Sequence, residues 1–113
     1  MNFRPELADK VMAGEKTVTR RRMSHNSRSP WFVLGCSLKV GRSYAVCPGR
    51  GKNAIGRVVV TEVSEVQLGA ISNDEAVREG FANWREFRAA WTTINGSWEP
   101  LEWVWRIRFE VAA

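Results

Sequence analysis

The chain has 113 residues, of which 44% are hydrophobic and 26% charged, a composition that excludes a wholly disordered protein. At this length we expect one domain, residues 1–113, with a core that needs no disulfide or metal. The net charge of +5 is unevenly spread, because residues 1–57 carry 12 Lys/Arg against 3 Asp/Glu, whereas residues 58–113 carry 5 against 9. The basic half indicates an anionic partner such as nucleic acid.

Metal and membrane chemistry are not expected. One histidine with Cys36 and Cys47 makes no metal-ligand pattern, so we expect no metal and no other cofactor. Charged residues such as Arg4 and Glu6 stand where a signal peptide would be apolar, and no apolar run is long enough to span a bilayer. We therefore expect no membrane association and a cytoplasmic protein with reduced thiols.

The first third of the chain predicts a helix, a strand and a loop. The apolar spacing from Phe3 to Ala13 predicts a short helix that Gly14 terminates. The β-branched residues and arginines of Thr17 to Arg22 predict a strand. Met23 to Gly35 is a polar, basic loop tipped with aromatic residues.

The middle of the chain is rich in strand signals. Ser43–Cys47 predicts a strand, Pro48–Asn53 a basic turn, and Ile55–Val66 a long β-rich run. Near the C-terminus, apolar residues alternate with charged ones from Glu102 to Val111, which predicts a half-buried strand.

Two helices are predicted before that last strand. Ser72 is an N-cap for a helix that stops near Gly80, and Asn83 with Glu86 resembles a capping box that opens the next one. The inner face of this second helix consists of Trp84, Phe87 and Trp91. Together the elements predict a β-rich α+β domain.

The side chains best suited to binding or catalysis are concentrated in Gly14–Arg22. These nine residues hold one amine, two hydroxyls and three guanidinium groups, which can bind a phosphate or a carbonyl oxygen or perform hydrolysis. The alternative is a solvent-facing edge strand behind a helix C-cap. Glu79 lies in the last turn of its helix, where a carboxylate is electrostatically misplaced. It needs a cationic partner, and a structural salt bridge is the alternative to a functional role.

Two other segments suit nucleic acid. The turn that carries Arg50 and Lys52 lacks the glycine and the Ser/Thr of a P-loop, so it either touches phosphate or is merely solvated. Trp31, in the basic loop with Arg28, is the best candidate for stacking on a base.

In order and spacing, these pieces resemble the ASCH family, a branch of the PUA-like β-barrels. Gly14–Arg21 is similar to the family signature Gly-x-Lys-Thr-x-Thr-x-Arg, and Val40–Arg42 is similar to its Gly-Asp turn, with Arg42 in place of Asp. Asp74–Ala76 and Glu79–Phe81 complete a resemblance that covers nearly the whole chain. It implies an α+β fold, a small PUA-like barrel with flanking short helices and a basic cleft for RNA or a modified nucleoside.

One enzymatic branch of the family is the bacterial N4-acetylcytidine amidohydrolases. The resemblance to this branch implies Lys16 as base, Thr19 as nucleophile and Glu79 as proton relay, with Arg21 holding an oxyanion. The insert Ser24–Trp31 is similar to members from actinobacterial phage genomes, which implies the host cytoplasm as location.

Three functions therefore remain open. The first is an RNA- or nucleotide-binding domain with a basic cleft that can also hydrolyse a modified nucleoside. The second is the amidohydrolase, and the third is a small phage protein that binds a host protein through its basic face. The predicted catalytic residues are Lys16, Thr19 and Glu79. The predicted nucleic-acid contacts are Arg20, Arg21, Arg22, Arg28, Trp31, Arg50 and Lys52.

Overall fold

A computed structural model describes all 113 residues. Every predicted helix and strand is present, with bounds that agree with the predictions to within two residues. A short 3-10 turn, Leu68–Ala70, follows the long strand. In chain order the elements are α1 (Pro5–Met12), β1 (Val18–Arg22), β2 (Ser43–Val46), β3 (Gly56–Gln67), α2 (Asn73–Arg78), α3 (Trp84–Asn95) and β4 (Trp103–Val111).

The four strands form one antiparallel sheet in the order β1-β4-β3-β2. The predicted α+β fold is confirmed, but the predicted barrel is wrong, because β1 and β2 are the two edges of an open sheet and do not pair with each other. The N-terminal segment lies where closure would have occurred. Phe3 donates its N–H to the Cys47 carbonyl at 3.0 Å, and Cys47 donates to the Met1 carbonyl at 2.9 Å. This backbone pairing covers the end of β2 and removes its need for a strand partner.

A β-bulge divides the long strand β3. Val60 pairs with Phe109 and Glu62 with Arg108, so Thr61 is an extra residue in β3. Such a bulge bends the strand and increases its twist. Val58 and Val60, before the bulge, belong to one apolar cluster, whereas Val66, after it, packs against another.

The two clusters lie against opposite faces of β4, since the consecutive residues Val104 and Trp105 belong to different clusters. The first packs α1 against β2, β3 and β4 and includes Val11, Val58 and Phe109, whereas the second packs α2 and α3 around Leu68 and Val104. Val104 is fully buried although it breaks the predicted alternation, because the helices cover the second face of β4. By contrast, Trp103 is 55% exposed at the start of the strand. None of the helices combines the length and apolarity that a membrane span requires.

Candidate functional site

The turn after α1 positions Lys16. The N–H groups of Glu15 and Lys16 both donate to the Lys10 carbonyl, and Gly14 takes the positive φ of 78° that such a helix end favours. Lys16 therefore points into the molecule and is 2% exposed. Glu79, the C-cap of α2, is equally buried, and its Oε1 lies 3.1 Å from Lys16 Nζ. The predicted need of Glu79 for a partner in the basic segment is confirmed.

The Lys16 ammonium uses all three of its donors. It donates to the Val18 carbonyl at 2.7 Å, to the Glu79 carbonyl at 2.6 Å and to the Glu79 carboxylate. Burial lowers the pKa of Lys16, and the charge of Glu79 opposes that shift. None of the three bonds reaches Thr19, so Lys16 must lose a proton, and with it one of these bonds, before it can accept a proton from that hydroxyl.

A chain of ion pairs connects this site to the surface. Arg20 bridges two carboxylates, with Nη1 at 2.9 Å from Glu79 Oε2 and Nη2 at 2.9 Å from Glu75 Oε1. Arg106 Nε also donates to Glu75, at 2.6 Å. Burial alone would raise the pKa of Glu75, but hydrogen bonds from Arg106, Arg78 and Arg20 lower it to about 2. Glu75 is therefore a charged partner for Arg20 and Arg106 at neutral pH.

A cavity of about 300 Å³ opens beside the ion pairs. Lys16, Thr19 and Glu79 all line it, so the structure brings the three predicted catalytic residues together. Its cationic wall consists of Arg4, Lys16, Arg20, Arg21 and Arg22. Its aromatic wall consists of Phe3, Trp31, Phe81, Phe87 and Trp91.

Arg21 is a cavity arginine that pairs with no carboxylate. Its guanidinium donates to the Asn2 carbonyl at 2.7 Å and lies 5.1 Å from the Phe3 ring and 5.3 Å from the Trp31 ring. Burial lowers the pKa of Arg21, but a guanidinium stays protonated in proteins. Stacking on two rings orients the group without using its N–H donors.

The neighbouring arginines are engaged within the protein. Arg22 makes a two-point contact with Glu102, at 2.9 and 3.0 Å, and donates to the Asn95 carbonyl at 3.1 Å. Arg20 is bound by the two buried carboxylates. These contacts join β1 to α2, α3 and the segment before β4 around the cavity. The contacts of Arg20 and Arg22 with nucleic acid stay predictions.

The other predicted contacts separate into two groups. Trp31 lines the cavity as expected for a stacking residue. Arg28, Arg50 and Lys52 are exposed and lie outside the cavity wall.

Sequence reasoning missed part of the cavity. Arg4 has no charged partner, and α3 contributes Trp91 and Asn95 to the wall. The sequence signal for Trp91 was its predicted place on the inner face of α3. Trp91 Nε1, Arg20 Nε and Arg21 Nε are buried donors without a partner. Since buried polar groups are almost always hydrogen-bonded, these three donors favour a ligand that brings acceptors.

Sequence comparison supports the class of fold described above. The sequence model of the ASCH domain family matches this chain over residues 1–113. The chain therefore belongs to the ASCH domain family, within the PUA-like superfamily, a family thought to bind RNA. A search of curated protein sequences found no significant match.

Solved structures show the same fold at low identity. An ASCH domain from Lactobacillus crispatus JV V101 is 20% identical, with a TM-score of 0.64 over 93% of this chain and 69% of that one. A protein from Enterococcus faecalis V583 is 20% identical, with a TM-score of 0.63 over 94% and 69%. The ASCH protein from Zymomonas mobilis is 16% identical, with a TM-score of 0.63 over 98% and 67%. At these identities the similarity establishes the fold.

Proposed function

We propose that this domain binds single-stranded RNA and seats one nucleotide in the cavity. The observation that carries the proposal is the pairing of an aromatic wall with arginines that have no carboxylate partner. Arg4 and Arg21 supply charge for a phosphate. Trp31 and Trp91 supply surfaces on which a base can stack.

The charge balance of the cavity favours an anion. Glu79 is its single carboxylate, and Lys16 and Arg20 already neutralise it. The remaining charge of Arg4 and Arg21 is therefore uncompensated inside a partly enclosed space, where Coulomb attraction is stronger than in water.

The size and polarity of the cavity also suit a nucleotide. Its volume of about 300 Å³ lies at the lower end of ligand sites, which mix apolar walls with a few convergent polar groups. The unpaired Nε1 of Trp91 and Nε of Arg21 can donate to base carbonyl or phosphate oxygens.

Salt-dependent binding tests the proposal. The probe is a ten-nucleotide cytidine RNA, a length within the ~4–16 nucleotides that one single-strand-binding domain typically occupies. We expect Arg21→Gln to weaken binding at least about tenfold and to reduce the slope of log affinity against log salt by ~0.7, the value of one phosphate contact. The matched control is Arg42→Gln, which removes the same charge from an exposed position at the turn before β2.

Two results would contradict RNA binding at this site. One is the absence of binding by the wild-type protein at low salt. The other is an equal loss of affinity in both variants, because that would reflect net charge rather than the cavity.

A second candidate is hydrolysis of an acylated cytidine such as N4-acetylcytidine. The observation that favours it is that Lys16, Thr19 and Glu79 share one cavity. Lys16, as the neutral amine, would take the hydroxyl proton as Thr19 attacks the amide carbonyl, and Glu79 would relay a proton to the leaving cytidine amine. Water would then hydrolyse the acetyl ester on Thr19, which releases acetate and restores the hydroxyl. Burial makes the Lys16 proton easier to lose, since it lowers the pKa of that group.

Turnover of N4-acetylcytidine tests this candidate. We expect the rate to rise with pH as Lys16 loses its proton, to vanish in Thr19→Ala and to survive in part in Thr19→Ser, which keeps a hydroxyl. Failure of the wild-type protein to hydrolyse the compound would eliminate the candidate and leave RNA binding untouched. Binding to a host protein, phage origin and cytoplasmic location stay predictions from the sequence.

A further inference from the structure

The outer face of α3 carries an open groove of about 600 Å³. No acidic residue is among the six that line it, which are Arg85, Arg88, Ala89, Thr92, Thr93 and Trp98. It lies on the other side of the helix from the cavity, because residues 85, 88 and 92 are out of phase with residues 87, 91 and 94 at 3.6 residues per turn.

The two arginines of this groove have no carboxylate partner. Each lies against an indole ring instead, Arg85 at 5.8 Å from Trp84 and Arg88 at 5.6 Å from Trp98. As with Arg21, the cation–π contact orients the guanidinium and leaves its N–H donors free. Both stand in the acidic half of the chain, where all other arginines except Arg108 pair with carboxylates.

The groove and the cavity share a wall. Trp98 packs edge-on against Phe87, with ring centroids 6.2 Å apart, and Phe87 lines the cavity. Only the width of one helix, about 10–12 Å with side chains, separates the two. A strand leaving the cavity can therefore cross α3 and reach Arg88 without a long unsupported stretch.

We propose that this α3 groove is a second RNA contact, which binds phosphates at Arg85 and Arg88 and stacks a base on Trp98. The inference rests on the proposed RNA binding and extends it, since it assigns nucleotides beyond the one in the cavity. A basic surface interleaved with indole rings is the arrangement that binds single strands without reading their sequence.

Two probes of different length separate the groove from the cavity. Cytidine monophosphate fits the cavity alone, whereas the ten-nucleotide RNA can reach both. We expect Arg85→Gln/Arg88→Gln to weaken binding of the longer RNA at least about fivefold and to reduce its salt slope by ~1.4, twice the value of one contact. Binding of the monophosphate stays unchanged, and only the longer RNA shifts the Trp98 indole N–H signal in NMR spectra.

Two matched variants complete the design. Arg85→Lys/Arg88→Lys keeps the charge and is expected to retain most of the salt slope. Lys39→Gln/Arg42→Gln removes the same charge from exposed positions before β2 and is expected to leave binding of the longer RNA nearly intact.

The experiment distinguishes failure of the groove proposal from failure of the proposed RNA binding in the cavity. If Arg85→Gln/Arg88→Gln binds the longer RNA as the wild-type protein does, or if the Lys39/Arg42 variant loses as much affinity, the groove is not an RNA contact even though the cavity still binds. If the wild-type protein binds neither probe, the proposed function fails and the groove assignment falls with it.

Discussion

Glu79 balances two buried cations, and it is the residue on which the site depends most. Its Oε1 accepts from Lys16 and its Oε2 from Arg20, and the exposed fraction of each side chain is below 5%. Removing one partner of a buried ion pair leaves charge without compensation in a low-dielectric interior, which is far more damaging than losing a surface pair.

We therefore expect Glu79→Gln to lower the free energy of unfolding by about 3–5 kcal/mol, measured by urea denaturation. The matched control is Glu102→Gln, because Glu102 pairs with an arginine that is 36% exposed. That change is expected to cost less than about 1 kcal/mol. Equal losses in the two variants would contradict the view that Glu79 neutralises buried charge.

Glu75 gives the protein a predictable response to acid. The pKa of Glu75 falls from 4.5 to about 2 on folding, because the folded protein favours the charged carboxylate. This preference stabilises the folded state fully at pH values above 4.5, the pKa in the unfolded chain. A shift of this size corresponds to about 3 kcal/mol at pH 7. It is lost as the pH falls from about 5 through about 2, when the carboxyl is protonated in both states.

The measurement is the stability difference between wild type and Glu75→Gln, followed by urea denaturation from pH 7 to pH 2. We expect the difference to be largest near neutral pH and to shrink steadily in acid. Glu65→Gln, at an exposed carboxylate without an ion pair, serves as the control and should show no such trend. A difference that stays constant with pH would refute the role assigned to the Glu75 hydrogen bonds.

At the scale of elements, the end of α2 places Glu79 through a sharp turn at Gly80. Gly80 has a φ of 98°, and a Cβ there would lie 3.1 Å from Leu7 Cδ2 and 3.4 Å from Lys16 Cδ. The Gly80 carbonyl also accepts a hydrogen bond from Lys10 Nζ at 2.7 Å. Any residue other than glycine would therefore strain the backbone at this turn, and its Cβ would press on side chains of the site.

Gly80→Ala and Gly14→Ala form a matched pair for this turn. Gly14 also has a positive φ, of 78°, but nothing lies within 4 Å of a Cβ there. We expect Gly14→Ala to lower the free energy of unfolding by about 1–2 kcal/mol from backbone strain alone. Gly80→Ala should cost about 1–3 kcal/mol more because of overpacking. Equal costs would show that the site tolerates movement at this turn.

The elements themselves were predictable because their signals are local. The Asn83 side chain accepts from the Glu86 N–H at 3.0 Å, as the capping pattern indicated, and Trp105, Ile107 and Phe109 are buried as the alternation required. A cap or an alternating pattern needs only neighbouring residues to be recognised.

Contacts between distant segments were only partly predictable. The electrostatic misfit of Glu79 indicated a cationic partner but could not identify Lys16 and Arg20 together. Thr19 and Arg20 are neighbours in β1 and point to opposite faces of the sheet, yet both are buried because elements cover both faces. The barrel prediction failed for a related reason, since residues 1–3 cover the edge of β2 through backbone bonds that no sequence pattern marks.

At the scale of the whole molecule, charge and aromatic surface converge on one cavity between the two apolar clusters. Phe3 belongs to the first cluster, and Phe87 and Trp91 belong to the second. The cavity is thus built at the junction of two packed units, and its arginines come from the basic half of the chain. For this reason we propose that RNA binds in the cavity and that the contact continues across α3 to the groove on its outer face.

The most direct test of RNA binding in this cavity is an NMR titration of the six tryptophan indole N–H signals with cytidine monophosphate. The signals are assigned by single Trp→Phe substitutions. We expect Trp91, whose Nε1 is buried without a partner, and Trp31 to shift on addition of up to ~1 mM ligand. Trp103, exposed outside the cavity, should not shift. No change at Trp91 and Trp31, or a change confined to Trp103, would contradict the account.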